Sequence, residues 1–137
     1  MSLRYLLDTN VLSETRKRLA DARVMAFLAA AEPSALYLSV LSLGELRKGV
    51  AVKAKSEAVA AQLLAQWVDG LEYSFGDRLI GIDGATARLW GEWSAQRPRP
   101  VVDTLLAATA TVHQMTLVSR NTVDVQDIGV DTLNPWL

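Results

Sequence analysis

Short apolar runs alternate with longer amphipathic segments along the chain. The runs are bounded by polar or turn-forming residues, which is typical of buried strands, and they lie at 3–7, 35–39, 78–82, 115–119 and 130–133. Apolar residues at helical spacing, such as Val59, Leu63 and Trp67, predict helices at 21–31, 43–52, 56–73 and 101–114, with two more beginning after the capping residues Asn10 and Asp83. Strands that alternate with helices predict right-handed βαβ units, so the fold class is α/β: a three-layer α/β/α domain with a central parallel sheet.

The length and composition narrow the classes of protein. The 137 residues contain no linker and no repeat, which predicts a single domain over 1–137. There is no cysteine, so disulfides, thiolate nucleophiles and sulfur-based zinc sites are excluded. His113 is the single histidine, which makes a Ser-His-Asp triad or a histidine-based zinc site hard to assemble. Most tryptophans are expected to pack in the core.

Membrane insertion and export are not expected. Arg4 and Asp8 interrupt any apolar signal-peptide core, and no apolar run reaches the roughly 20 residues that span a bilayer. We therefore expect a cytoplasmic protein. Because the formal net charge is −1, nucleic acid could be bound only by a local basic patch. The basic residues that could form one, each also readable as a solvated face, are Arg16, Lys17, Arg18, Arg47, Lys48, Arg97, Arg99 and Arg120.

Four acids stand at junctions between predicted elements. Asp8 follows the first strand, Glu45 lies early in its helix, Asp103 begins another helix, and Asp124 follows the strand at 115–119. Each has an ordinary explanation on its own. Asp8 could be a turn residue, Glu45 could form a capping box with Ser42, and the other two acids could complement helix dipoles.

Taken together, the four acids indicate a metal site. Strand C-termini and the following helix N-termini share one edge of a parallel sheet, so Asp8, Glu45 and Asp124 converge there, joined by Asp103 if its helix points the same way. Two carboxylates ~4 Å apart repel by about 4 kcal/mol at an effective dielectric of 20, so such a cluster takes up protons or holds a cation. Oxygen ligands without histidine or thiolate favour Mg²⁺ or Mn²⁺, which suits phosphodiester hydrolysis.

Five segments also resemble a known family. The segments are LLDTNVLSE (6–14), LYLSVLSLGELRKGV (36–50), PVVDTLLAATA (100–110), LVSRNTVD (117–124) and VDTLNPW (130–136). In this order and spacing they resemble the PIN-domain ribonucleases, specifically the VapC/FitB-like toxins of bacterial type II toxin–antitoxin pairs. The resemblance covers essentially the whole chain.

The resemblance implies roles for particular residues. It implies an acidic catalytic site with Asp8 and Asp103 as direct Mg²⁺ ligands. It implies that Asn10 and Ser119 support the carboxylates by hydrogen bonds. The full set of acids is Asp8, Glu45, Asp103 and Asp124, and the residues proposed to contact RNA or antitoxin are Arg16, Lys17, Arg18 and Arg120.

The chain departs from the family pattern near the fourth acid. The family commonly has an aromatic residue after that acid, where this chain has Val125, and Asp127 is close enough to compete with Asp124 for the role. The position before Arg120 is often threonine in the family; Ser119 keeps the hydroxyl.

The resemblance also implies partners. Such toxins form homodimers, cleave structured RNA, and are inhibited by a small cognate antitoxin whose tail reaches the active-site groove; DNA is contacted only indirectly, through the antitoxin. The alternative is a PIN-like binding module that acts within a DNA-bound regulatory complex with little or no nuclease turnover. A phosphorylated receiver domain fits less well, because it expects paired acids after the first strand and a lysine in place of Ser119-Arg120.

Overall fold

The protein was analysed as a computed structural model, which describes residues 3–137. The strands are β1 (Tyr5–Leu7), β2 (Leu36–Ser39), β3 (Leu79–Ile80), β4 (Thr116–Val118) and β5 (Thr132–Leu133). The helices are α1 (Thr9–Glu14), α2 (Ala22–Ala30), α3 (Val40–Lys53), α4 (Ala58–Phe75), α5 (Gly84–Gln96) and α6 (Val101–Val112). Short 3₁₀ turns lie at Pro33–Ala35, Gly76–Arg78 and Val123–Ile128. No helix within residues 3–137 is long and apolar enough to cross a membrane.

The five strands form one parallel sheet in the order β3-β2-β1-β4-β5. The chain builds outward from β1 to β2 and β3, then returns to place β4 on the other side of β1. The strand order therefore reverses between β1 and β4, and open α/β sheets bind ligands in the crevice beyond the strand ends at such a point. The predicted α/β/α fold with a central parallel sheet is confirmed.

Alternate residues of β1 supply the two hydrophobic cores. Leu7 packs with Leu38 and Val118 against α1 to α4, while Leu6 faces the opposite way and packs against α5 and α6. Each of these leucines is at most 1% exposed, and burying one fully contributes about 1.5–3 kcal/mol. The central strand is thus fixed on both faces, which fixes the position of Asp8 directly after it.

Two predicted helix starts are wrong, and both errors concern site residues. α3 begins at Val40 with Ser39 as its cap, not at 43; the Ser42 side chain is buried and has no hydrogen-bond partner among residues 3–137. The capping-box explanation of Glu45 therefore fails. α1 is capped by Asp8, not by Asn10, which is the second residue of the helix. In both cases the polar residue at the end of the preceding strand, Asp8 or Ser39, is the helix cap, because strand and helix adjoin without a loop.

Candidate active site

Asp8 lies at the crevice between β1 and β4. Its backbone N–H donates to the Val118 carbonyl oxygen (2.9 Å), continuing the ladder between the two strands, and its residue surface is 8% exposed. The Thr9 N–H donates to Asp8 Oδ1 at 2.6 Å, and the Ser119 hydroxyl donates to Oδ2 at 2.7 Å. Burial raises the pKa of the Asp8 carboxyl, while the bonds from Ser119 and Thr9 oppose that rise. Asp8 is therefore a buried, oriented carboxylate with an energetic cost to its charge.

Asn10 and Ser119, the two supporting residues that the resemblance implies, both contact Asp8. Asn10 Nδ2 lies 3.5 Å from Asp8 Oδ2 and 3.3 Å from Ser119 Oγ, and its Oδ1 lies 3.5 Å from the Arg120 N–H. The Ser119 hydroxyl is fully buried and is the shorter contact with the carboxylate. These side chains tie the end of β1 to the end of β4.

Asp103 and Asp124 are held together by a single amide. Asn121 Nδ2 donates to Asp103 Oδ2 at 3.3 Å and to Asp124 Oδ2 at 3.1 Å, using one proton for each carboxylate. The Asn121 backbone N–H donates to Ser119 Oγ at 3.0 Å, so the pair is connected to Asp8 through Ser119. The first turn of α6 thus does point toward the β1–β4 edge, which the sequence alone left open.

Glu45 completes the acidic edge from the α3 side. The Thr9 hydroxyl donates to Glu45 Oε1 at 2.6 Å, which places this carboxylate next to the residue that follows Asp8. Burial raises the pKa of Asp103, and the negative charges of Asp8, Asp124 and Glu45 raise it further. The Glu45 charge also raises the pKa of Asp8. The charges of the other three predicted acids therefore all act on Asp103.

Asp127 occupies a different environment from Asp124. Its carboxylate accepts hydrogen bonds from Arg99 at 3.0 Å and from Arg97 at 3.1 and 3.2 Å. These bonds, with Arg99 the larger cause, hold the pKa of Asp127 well below its usual range. The Arg99 side chain is 1% exposed. Asp127 thus forms ion pairs with the buried Arg99 and with Arg97. These two arginines are neutralised by Asp127 and do not form a basic patch.

The basic residues proposed to contact RNA or antitoxin differ in their neighbours. Lys17 Nζ pairs with Glu14 Oε1 at 2.9 Å. The Arg16 guanidinium lies over the Trp67 ring and the Arg120 guanidinium over the Trp136 ring, each 5.2 Å from the centroid. Arg18 is exposed in the same loop. Arg47, a further basic candidate, is paired with Asp69 and Glu72.

The donor set fits a hard divalent cation. Every candidate ligand at this edge is a carboxylate or amide oxygen, and Mg²⁺ is bound in proteins by one or two carboxylates while it keeps several waters. Within the part of the chain that the structure describes, no three acidic or histidine side chains stand in an arrangement that would hold a metal by themselves. Asp8 and Asp103, whose charges are disfavoured by burial and by neighbouring negative charges, are the two carboxylates that a cation would relieve.

Two further residues belong to this edge and were not singled out from the sequence. Thr9 holds Glu45, and Asn121 holds Asp103 and Asp124. Both lie inside segments that carried the family resemblance, LLDTNVLSE and LVSRNTVD. The sequence signal for Thr9 was its position next to Asp8, and the signal for Asn121 was its position between Ser119 and Asp124.

The chain is an α/β/α domain with a parallel sheet, and its acids lie beyond the strand ends where the strand order reverses. Open α/β domains bind their ligands at this position. Within that class the chain belongs to the PIN domain family, whose family model matches residues 5–128. The predicted resemblance is confirmed.

Named relatives span nearly the whole chain. The chain is 31% identical over 138 residues to Toxin FitB of Neisseria gonorrhoeae, covering 96% of this chain and 97% of FitB. It is 30% identical over 137 residues to VapC ribonuclease Y4jK of Sinorhizobium fredii, with 96% of each covered. A chain in a structure of FitAB bound to an IR36 DNA fragment superposes with a TM-score of 0.87 at 28% identity, covering 97% and 96% of the two chains.

Proposed function

We propose that this protein is a Mg²⁺-dependent endoribonuclease, with Mn²⁺ as an alternative ion, and the toxin of a toxin–antitoxin pair. The observation that carries the proposal is the continuous hydrogen-bonded path from Asp8 through Ser119 and Asn121 to Asp103 and Asp124. The path crosses the switch point and brings acids from opposite ends of the chain to one edge. A relative named as a VapC ribonuclease supports RNA as the substrate.

Each acid has a separate role in the proposed hydrolysis. Asp8 and Asp103 would hold the ion, and Ser119 fixes the orientation of Asp8. A divalent ion bound here supplies polarisation of a phosphate oxygen and a lower pKa for an attacking water. Glu45 has one oxygen engaged by Thr9 and uses the other to accept a proton from the attacking water. Asp124, fixed by Asn121, positions water or a second ion.

We further infer a small antitoxin as partner and a homodimer as the working form. The partner is supported by the relative named Toxin FitB and by the superposed FitAB complex, which is bound to a DNA fragment; the homodimer and a contact with DNA only through the antitoxin follow from the family resemblance. The alternative, a binding module without turnover, would keep these partners and lack cleavage.

Removal of the ion tests the proposal. We expect the chain, purified without its partner, to cleave RNA in Mg²⁺, to stop in EDTA, and to recover when excess Mg²⁺ is added. Sequencing of the new RNA ends would give the cut site. Cleavage that persists in EDTA would refute metal dependence, and a folded chain that binds its antitoxin but cuts no RNA would favour the binding module.

The Asn121 amide gives a second test, on the arrangement of the acids. Asn121→Ala removes the donor that holds Asp103 and Asp124 together, so we expect the Mg²⁺ concentration that gives a fixed rise in Tm to increase by about 10–100-fold, as for other residues that orient metal ligands. Thermal melts across a Mg²⁺ series measure this without any RNA.

A neighbouring amide provides the matched control. Gln126 is exposed in the Val123–Ile128 turn, which also carries Asp124, so Gln126→Ala should leave the Mg²⁺ dependence unchanged. Equal Mg²⁺ dependence in Asn121→Ala and wild type would show that the bridging amide does not organise the acids.

A further inference from the structure

A hollow of about 320 Å³ adjoins the acidic edge on the side of α3 and α4. Its wall includes Thr9 and Glu45, which belong to the proposed active site, and Arg16, Leu64 and Trp67, which do not. The hydrogen bond from the Thr9 hydroxyl to Glu45 is therefore a shared boundary between the two.

Arg16 places a cation over the ring of Trp67, a partly buried residue, and both side chains line the hollow. The guanidinium lies 5.2 Å from the indole centroid, and Arg16 makes no ion pair with a carboxylate anywhere in residues 3–137. RNA bases stack on aromatic side chains and on arginine planes, and arginine also contacts phosphate. The pair therefore offers both interactions that one nucleotide of a single strand requires.

The loop that carries Arg16 is held in place by a buried acid. Glu14 is 4% exposed; its Oε2 accepts from the Asp21 N–H at 2.8 Å, and its Oε1 pairs with Lys17. The Thr15 hydroxyl also bonds to the Leu12 carbonyl oxygen at 2.6 Å. Arg16 is thus presented from a closed loop, which limits the entropy lost when it contacts a ligand.

We propose that this hollow is a nucleotide subsite, in which Arg16 contacts a phosphate flanking the cleaved bond and the Arg16–Trp67 surface stacks the adjoining base. The proposal rests on the proposed ribonuclease function and specifies where its substrate lies. Two more hollows continue the surface: one shares Arg16 and Leu64, and the other shares Glu45 and includes Lys48. Glu57 lines both of these hollows and pairs with Lys53, so Arg16 and Lys48 are the cations there that make no ion pair within residues 3–137.

Substitutions at Arg16 separate charge from stacking. We expect Arg16→Ala to raise the KM for RNA cleavage by about 5–20-fold with little change in kcat, because a base stack and a phosphate contact are lost. The KM of Arg16→Lys should lie between those of wild type and Arg16→Ala, since lysine keeps the charge and loses the planar guanidinium. Trp67→Leu should also raise KM. If this substitution lowers the Tm substantially, its KM is not informative, and the comparison of Arg16→Ala with Arg16→Lys tests the subsite.

RNA binding is measured separately in the Asp8→Asn background, so that it does not depend on turnover. Fluorescence anisotropy with a short single-stranded RNA of mixed sequence should show weaker binding when Arg16→Ala is added, with a salt dependence smaller by about 0.7 in slope. Arg88 is an exposed arginine on α5, away from the hollow, and Arg88→Ala serves as the matched control. It should change neither KM nor RNA affinity.

The two proposals fail in different ways. If wild type cuts RNA and Arg16→Ala changes neither KM nor RNA affinity, the subsite is refuted and the ribonuclease function stands. If wild type cuts no RNA, the function is refuted, while the anisotropy result still supports or refutes RNA binding at Arg16. Unchanged RNA affinity together with weakened binding of the cognate antitoxin would overturn the subsite and assign the hollow to the antitoxin.

Discussion

Asp8→Asn is expected to abolish RNA cleavage, with kcat lower by roughly 10³-fold or more. The Lewis-acid contribution of a bound ion is worth several kcal/mol, and each 1.36 kcal/mol corresponds to a factor of ten in rate. Asparagine has nearly the shape of aspartate and keeps an oxygen to accept the Thr9 N–H, so the local structure should persist. RNA cleavage in saturating Mg²⁺ measures the effect.

The same substitution should stabilise the protein without metal. Burial raises the pKa of Asp8 in the folded chain, so ionisation of this carboxyl disfavours the folded state as pH rises through that value. Asp8→Asn removes the charge and its repulsion by Glu45. We expect a Tm in EDTA higher than that of wild type at pH 7, with the difference shrinking as pH falls. Urea unfolding of wild type and Asp8→Asn in EDTA, at pH 7 and at a lower pH, provides the check.

Metal binding should reverse that order. Mg²⁺ that binds only the folded protein raises the Tm of wild type increasingly as its concentration exceeds the Kd, and Asp8→Asn should lose most of that increase. Loss of activity with an unchanged Mg²⁺ response would show that Asp8 acts on RNA by another route. A variant that cleaves RNA like wild type would refute the site altogether.

The fold was predictable because its signals are local. The run at 3–7 and the alanine-rich helix at 101–114 are set by apolar periodicity, and the structure contains β1 and α6 there. The errors fall at junctions with no loop. Ser39 ends β2 and caps α3, so a single polar residue served both elements and the apparent capping box at Ser42 was false.

That Asp8, Glu45 and Asp124 meet at one edge of the sheet was predictable, but the hydrogen bonds that connect them were not. Periodicity placed Asp8 and Glu45 at one edge of a parallel sheet, whereas Asp103 depended on the direction of its helix. That direction is set by the packing of α6 against α5 and β4, which is a tertiary property. The role of Asn121 as a bridge between two acids also required three-dimensional distances, because a single amide beside Ser119 has many ordinary uses.

Asp124 and Asp127 are expected to separate activity from stability. Asp124→Asn should lower kcat by about 10–100-fold and leave the unfolding free energy nearly unchanged, because the Asp124 side chain is held only by Asn121 in the described residues. Asp127→Asn should do the opposite: it removes the carboxylate that neutralises Arg99, and a buried arginine without a counter-charge destabilises the folded state, although Arg99 keeps its hydrogen bonds to Trp93 and Gln96. Urea midpoints and initial cleavage rates, measured on both variants, test the pair.

The pH dependence of stability identifies the cause. The pKa of Asp127 is lowered from 3.8 in the folded chain, so its stabilising contribution is present above pH 3.8 and is lost as pH falls toward the lowered value. Asp127→Asn should therefore remove part of the acid-induced loss of stability, and Asp124→Asn should keep it. If Asp127→Asn instead loses activity at full stability, the fourth acid of the site is Asp127. Arg97 and Arg99 would then hold a catalytic carboxylate in place, and the Asn121 bridge would serve structure alone.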